Sequence, residues 1–595
     1  MRRVSLVSFI CLVYSLLSLP CQSEEAVYND MSFTLDPIAK TAEVKGLASK
    51  TVESLHIPDI ITIGDKEYLV IGIAEQAFKG HKNLKEITLP SSMNYMPRSA
   101  FEGTGIMLNK DNWRDGVLII SDCLIATDKN IKPKYIVPAN TRLIAAGAFQ
   151  GNKTVTRIDL PATLTRIDDD TFRDCKKLTK VVIPPSVTWI GQDAFVGTGI
   201  WLNEKKWKQG ALFIDGCLIA VSPAAPVKFV FKGKVPMRLL AAGAFYSAPQ
   251  VRTVVIPEGV TTIPAGCFNK CASLKEVTIP STVTRVEHFA FAECENLEQA
   301  TLPEGLESLG TAAFYMCRNL KQQTLPQSLK GIPTACFFLC SSITRLTLPP
   351  HLEIIGDGAF AGCANLEEIA LPATLQLIGE KAFSGCNRFR KVVLPEGVKT
   401  LRKAAYADCA HLAEITLPQG LYAVDDETFK NCISLERIIF PKMLFRIGKN
   451  AFENCQELYA ISLPDNLHAL ENEAFMGCKK LYEIQLPPTL AMLGSGAFSG
   501  CVNLTKVQFT RETPLTSIEP GTFYQCRQLR EILIPDSVTV IDEEAFAGCK
   551  NLRNVTFPPQ LQKIGPKAFL DCENLTPPTF PKDIEVTKNA FKGCK

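Results

Sequence analysis

Between Pro257 and Pro487 a proline returns every 23 residues, at 257, 280, 303, 326, 349, 372, 395, 418, 441, 464 and 487. A fixed period of this length is built by stacking one supersecondary unit on the next, because a single unit cannot bury its apolar face alone. The period prescribes a solenoid, and a solenoid works through its surface.

The text around each proline is nearly constant, as in LKEVTIPSTVTRVEHFAFAEC (Leu274 to Cys294), LEEIALPATLQLIGEKAFSGC (Leu366 to Cys386) and LREILIPDSVTVIDEEAFAGC (Leu529 to Cys549). Its apolar positions read L-x-x-I-x-L-P-x-x-L-x-x-I-x-x-x-A-F-x-x-C. In the first segment Leu274, Val277 and Ile279, with Thr278 between, predict one short strand with alternating faces. The proline closes it, since it has no N–H for a strand ladder. Val283 and Val286 follow, then the Ala-Phe pair, then the cysteine. No stretch keeps helical spacing for the ten or so residues a helix needs, so the return path is expected to be turns, short strand or 3₁₀ pieces.

Stacking sets the strands about 4.8 Å apart in a parallel sheet, so roughly twenty coils give a face on the order of 90–100 Å long. The aromatic of each coil lands over the next, from Phe268, Phe291 and Phe314 through Tyr406 to Phe498, and reads as the spine of the core.

Lys plus Arg total 64 and Asp plus Glu 61, a formal net charge of +3, with both signs scattered through the repeats. Nucleic acid or an anionic membrane surface as main partner would call for a basic stripe, which this chain does not have. Of the 22 cysteines, 16 sit three residues after the repeat aromatic, and from Cys271 to Cys594 they occupy fifteen consecutive coils. An odd run all pointing one way cannot pair off completely, so these are expected to be small buried hydrophobes forming a free-thiol ladder. One sulfur per coil and no C-x-x-C pair give no metal site, and no cofactor is expected.

The six histidines are isolated, and no H-E-x-x-H, G-x-S-x-G or phosphate loop occurs. No catalytic residue is assigned and an enzyme is not expected. Asp168-Asp169-Asp170 and Asp542-Glu543-Glu544 precede repeat aromatics. They read as solvated turn residues, with weak calcium binding as the alternative.

Met1-Arg2-Arg3 followed by VSLVSFICLVYSLLSLP is a positive n-region and an apolar core, a secretory signal. No later apolar run reaches membrane-span length. Two processing routes fit: cleavage after Ser23, or lipidation of Cys21, whose following Gln-Ser-Glu-Glu is similar to the acidic tag of surface lipoproteins in some Gram-negative bacteria.

Residues 24–52 lack the repeat, and MSFTLDPIAKTAEVKGL reads as an alternating hairpin capping the solenoid. Twice the period jumps, at about 103–127 and 197–221, where GTGIMLNKDNWRDGVLIISDCLIAT and GTGIWLNEKKWKQGALFIDGCLIAV match each other 94 residues apart. Each predicts a β-hairpin flap, with turns at Ser121-Asp122 and Asp215-Gly216. Trp113 and Trp207 there are candidate ligand contacts or the packing that holds the flap. On the sheet face, Tyr459 and Tyr482 share a strand position in adjacent coils beside Arg437 and Glu483, a candidate hot spot.

The motif L-x-x-I-x-L-P with A-F-x-x-C at 23 residues resembles the BspA-like leucine-rich repeats of bacteria, over about Glu53 to Cys594. The resemblance implies a horseshoe or gently curved solenoid with a parallel sheet on one face. It also implies a cell-surface or secreted protein of host-associated microbes that adheres to host matrix proteins, epithelial cells or other bacteria. The chain then divides into a signal peptide (1–23), a β-rich cap (24–52) and a leucine-rich repeat solenoid (53–595). The expected function is an exported binding protein recognising a protein or glycan through its solenoid face. A structural protein of the cell envelope is the alternative, and an extracellular enzyme a more distant one.

Overall fold

The structure, a computed structural model, describes residues 24–36, 40–231, 236–459 and 461–595; the expected signal sequence and the candidate lipidation site Cys21 lie outside them. The chain is a β-solenoid of about 20 turns. It forms two compact units, Met1–Ser273 with Arg285–Ala290, and Leu274–Thr284 with Phe291–Lys595.

In the second unit each regular coil contributes to three hydrogen-bonded columns. The first is the parallel ladder of three-residue strands, as in Lys391–Val393, Glu414–Thr416 and Arg437–Ile439, paired in register. Their central residues Val392, Ile415 and Ile438 point inward while the flanking ones face out. The second is a ladder of two-residue strands, Gly331–Ile332, Ile354–Ile355, Leu377–Ile378 and Thr400–Leu401, also parallel.

The third column is made of turns. The N–H groups of Ala335, Phe337 and Leu339 donate to the carbonyls of Asp357, Ala359 and Ala361 in the next coil, each at 2.8 Å. Ala335 and Leu339 hold φ of 52° and 56°, a conformation L-residues seldom adopt. The bonds to the next coil compensate that strain, and positive φ recurs two residues before and two after the aromatic along the unit.

Inside, Phe314, Phe337, Phe360 and Phe383 stack with centroids 5.4–5.5 Å apart. The cysteines line up beside them. Each Sγ–H donates to the carbonyl of the preceding coil's aromatic, as Cys363 to Phe337 and Cys386 to Phe360 (3.2 and 3.3 Å). Burial pushes the Cys363, Cys409, Cys501 and Cys549 thiols up to about 12, so they carry no thiolate at neutral pH. All cysteines among the described residues are free.

In the first unit, Glu24–Tyr28, Met31–Asp36, Thr41–Leu47, Lys66–Ile73 and Ile60–Ile63 form one five-stranded sheet in that order. The sheet therefore runs well past residue 52. Its inward face presents Met31, Phe33, Leu35, Ala42 and Val44 to the core.

Candidate binding surface

On the first-ladder face of the second unit, Thr278, Thr301, Thr324 and Thr347 stand exposed in successive coils. Ion pairs step between coils beside them, Lys275–Glu298–Lys321 at 3.4 and 2.8 Å and Lys391–Glu414 at 3.1 Å. Such exposed pairs contribute little, roughly 0–1 kcal/mol each, and keep the face solvated.

The face changes character between residues 437 and 485. Arg437 lies 5.6 Å from the Tyr459 ring centre and its Nε–H donates to the Tyr459 hydroxyl. Tyr482, one coil on, is 58% exposed; its carbonyl accepts from the Thr505 N–H and hydroxyl, which fixes the backbone beneath it. Glu483 faces Lys506 in the strand register. Residues 461–463 form no strand, and the missing rung leaves a hollow of about 350 Å³ between Ile461–Leu463 and Glu483–Gln485. The structure thus joins Arg437 to Tyr459 and sets Glu483 on the rim of this hollow.

A second aromatic group escaped the reading of the sequence. Tyr422, Phe445 and His468 occupy one position of three consecutive coils and stack with centroids 5.2 and 4.3 Å apart. Earlier coils carry Glu307, Lys330, Glu353, Gln376 and Lys399 at that position, so reading the repeats column by column would have revealed it.

The two inserts of the first unit are more than flaps. Trp113–Arg114, Val117–Ile120 and Cys123–Thr127 form an antiparallel meander, and Cys123–Thr127, wholly buried, continues as a parallel partner of Leu143–Ile144. The second insert repeats this with Trp207–Lys208, Ala211–Ile214, Cys217–Val221 and Leu239–Leu240. The turns Asp115-Gly116 and Ser121-Asp122 hold positive φ at both residues, the geometry that suits the right-handed twist of a tight hairpin.

Trp113 and Trp207 are half-buried against the core, and their ring N–H groups donate to the carbonyls of Met107 and Trp201 at 3.0 and 2.8 Å. Their polar edges are thereby spent on the fold. Thr104 and Thr198 replace the coil cysteine because each hydroxyl serves two backbone groups: it donates to Phe101 or Phe195 and accepts from the N–H of Met107 or Trp201. After each insert an arginine, Arg142 or Arg238, staples the coil before the insert by donating to its carbonyls, Pro90, Ser91 and Met93 or Pro184, Pro185 and Val187. The shared text RLIAAGAF and RLLAAGAF (142–149 and 238–245) was the available signal.

Where the first insert enters, the sheet face opens into a notch of about 980 Å³ between Glu86–Ile87 and Lys134–Ile136, floored by Val117–Ile120. A smaller hollow of about 430 Å³ lies by Tyr95, Asp169, Asp170 and Arg173. The acidic run there is not simply solvated: Asp168 is buried, with Arg166 3.0 Å away, and burial pushes its carboxyl up to about 6 against the pull of that arginine. Arg173 bridges Asp170 and Asp193. Among the described residues no helix is long and apolar enough to cross a membrane.

Three solved structures illustrate what the chain is similar to. A leucine-rich repeat protein from Bacteroides ovatus is 23% identical over 81% of this chain and 94% of its own, with a TM-score of 0.38. A leucine-rich cell surface protein from Faecalibacterium prausnitzii is 20% identical over 70% and 94%, TM-score 0.29. A leucine-rich repeat protein from Eubacterium ventriosum is 20% identical over 65% and 94%, TM-score 0.31. No curated protein matches the chain. The family model of the BspA type leucine-rich repeat region matches in six copies, over residues 50–132, 110–204, 239–367, 331–459 and 468–595. These matches extend over more than half of the sequence and coincide with the coils that carry the proline, the aromatic and the cysteine: the chain belongs to the BspA-type leucine-rich repeat family.

Proposed function

We propose that the chain is an exported cell-surface binding protein, an adhesin that engages a protein or glycan of host cells, matrix or neighbouring bacteria through its solenoid face. Leucine-rich repeats are binding scaffolds, and a rigid stack of coils presents many small contacts without ordering cost at the moment of binding. The observation that carries the reading is the break in the Thr-and-charge face at Arg437, Tyr459, Tyr482 and Glu483, where two exposed tyrosines stand just ahead of the strand position in adjacent coils. Large aromatics with a polar tip dominate binding energy at protein interfaces. Trp113 and Trp207 serve this function indirectly by holding the inserts in place.

The test pairs topology with affinity. Protease treatment of intact cells is expected to remove the solenoid while a periplasmic marker survives; survival of the solenoid would overturn the surface location. Replacing Tyr459 and Tyr482 together by Ala is expected to weaken adhesion to immobilised matrix proteins and glycans by about tenfold or more with the melting temperature unchanged. Unaltered adhesion would move the site elsewhere.

A further inference from the structure

The notch in the first unit interrupts a parallel sheet, and its two walls are strands with an unused side. Glu86–Thr88 pairs with Ser54–His56 on one side only. Lys134–Ile136 pairs with Arg157–Asp159 on one side only. Among the described residues no strand lies on the other side of either. In a regular coil that space would be filled by the next rung; here the insert passes below it, presenting Val117–Ile120 as a floor.

The rim is rigid. The Ser121 hydroxyl accepts from the Leu89 N–H at 3.2 Å, and Arg142 ties the carbonyls of Pro90, Ser91 and Met93 to the coil beyond the insert. The Asn140 amide donates to Asp122 at 2.6 Å. The notch is a consequence of how the chain is routed and does not depend on a loose segment.

What it offers a ligand is specific. A strand edge presents alternating N–H and C=O groups, and only an extended polypeptide matches them. Ile136 is 74% exposed at this edge, a large aliphatic side chain whose row continues with Asp159 and Val182 in the coils that follow. Lys134 heads a row of three cations, Lys134, Arg157 and Lys180, aligned by the register. Arg157 is neutralised by Asp159 at 2.9 Å, whereas Lys134 has no ion pair among the described residues.

We propose that the notch captures an extended segment of a partner protein, which adds to the Lys134–Ile136 edge as a β-strand. The segment carries a carboxylate opposite Lys134 and, two residues on, an aliphatic side chain opposite Ile136. Backbone pairing supplies the register, the carboxylate and the aliphatic side chain supply selectivity. This rests on the reading that the chain binds macromolecules through its sheet face, and assigns one of its partners a chemical class.

The probe is a heptapeptide with the sequence LREILIP, which stands at residues 529–535 and has a Glu followed two residues later by Leu. Titrated against the full mature chain by fluorescence polarisation, the blocked, labelled peptide is expected to bind saturably. Ile136→Asp and Lys134→Glu are each expected to weaken it by about tenfold, and Thr301→Asp, on an unbroken part of the face, to leave it unchanged. The same peptide N-methylated at alternate residues is expected not to bind. Equal binding of the N-methylated peptide, full binding to Ile136→Asp, or no binding of either peptide overturns the proposal. Adhesion that survives Ile136→Asp but falls with Tyr459→Ala and Tyr482→Ala overturns the strand capture and leaves the adhesive function standing.

Discussion

The two units share one repeat and use it differently. In the second unit the spine rings are nearly parallel, with interplanar angles of 3° for Phe314 on Phe337 and 1° for Phe337 on Phe360. In the first, the rings around the inserts are tilted, 53° for Phe78 on Phe101, 43° for Phe149 on Phe172 and 39° for Phe172 on Phe195, and the stack tightens to 23° only at Phe245 on Phe268. The position three residues past the aromatic follows suit. It is cysteine in every coil from Cys294 to Cys594, whereas the first unit places His81, Thr104, Asn152, Thr198 and Ala248 there beside Cys175 and Cys271. Identical neighbours allow one weak bond to be repeated without end. An insert changes the backbone groups to be satisfied, and the residue changes with them: Asn152 donates to Thr127 and Asp128 and accepts from the N–H groups of Thr154 and Val155.

A spine aromatic should matter equally in either unit. Phe337→Ala is expected to lower the stability of the second unit by about 3–5 kcal/mol, and Phe172→Ala to do the same to the first, each measured as a shift of that unit's transition in denaturant. Equal shifts in both transitions from either substitution would show that the units do not melt separately. Next in size, Gly116→Ala should destabilise the first unit by about 2–3 kcal/mol and spare the second, because φ is 76° there and a Cβ would lie 2.3 Å from the Ile131 nitrogen. Retention of the melting temperature would mean the insert turn can rearrange.

Two further effects probe the polar exceptions. Asp168 is unusual for a carboxylate because burial raises it to about 6, so its ionised form weakens the fold. The unfolded chain holds it near the usual carboxylate value of 3.8, and the folded state binds the extra proton between about pH 4 and 6. Stability of the wild type relative to Asp168→Asn should therefore fall as pH rises through that window, by about 3 kcal/mol, and be flat above it; a gap independent of pH would place the charge in contact with water. Least of all, Tyr406→Phe should stabilise the second unit by about 1 kcal/mol. Its hydroxyl is fully buried in the spine with no hydrogen-bond partner among the described residues, while the same position is Phe in the coils on either side. A loss of stability would point to a water bound beside it.

Proline, strand aliphatics, aromatic and cysteine were legible because each recurs where the same neighbours surround it. The turn column was not: Ala335 and Leu339 take positive φ although neither is the Gly or Asn that advertises it, and only the inter-coil bonds explain them. The meander was half legible, since the Ser121-Asp122 turn and the alternation of VLII are plain, but CLIAT is apolar throughout and gives no sign that both of its faces are covered. Asp168 looked solvated because its neighbours in sequence are acidic; what buries it is the alternation that puts Arg166 on its own side of the strand. On the surface, Arg437 and Tyr459 meet across 22 residues, close enough to one period to be guessed. Tyr422, Phe445 and His468 look ordinary one at a time and form a group only when the coils are aligned.

Because the ladder cysteines of the regular coils bond the aromatic one coil back and the aromatic N–H groups bond one coil forward, the buried junctions between regular coils repeat one bonding pattern. Removing or duplicating one regular 23-residue coil would rejoin ends that carry the same buried bonding pattern. The number of regular coils is then free to change without altering that buried pattern, while the meanders of the first unit have no interchangeable neighbours. A protein of this kind can vary its reach and keep its fold.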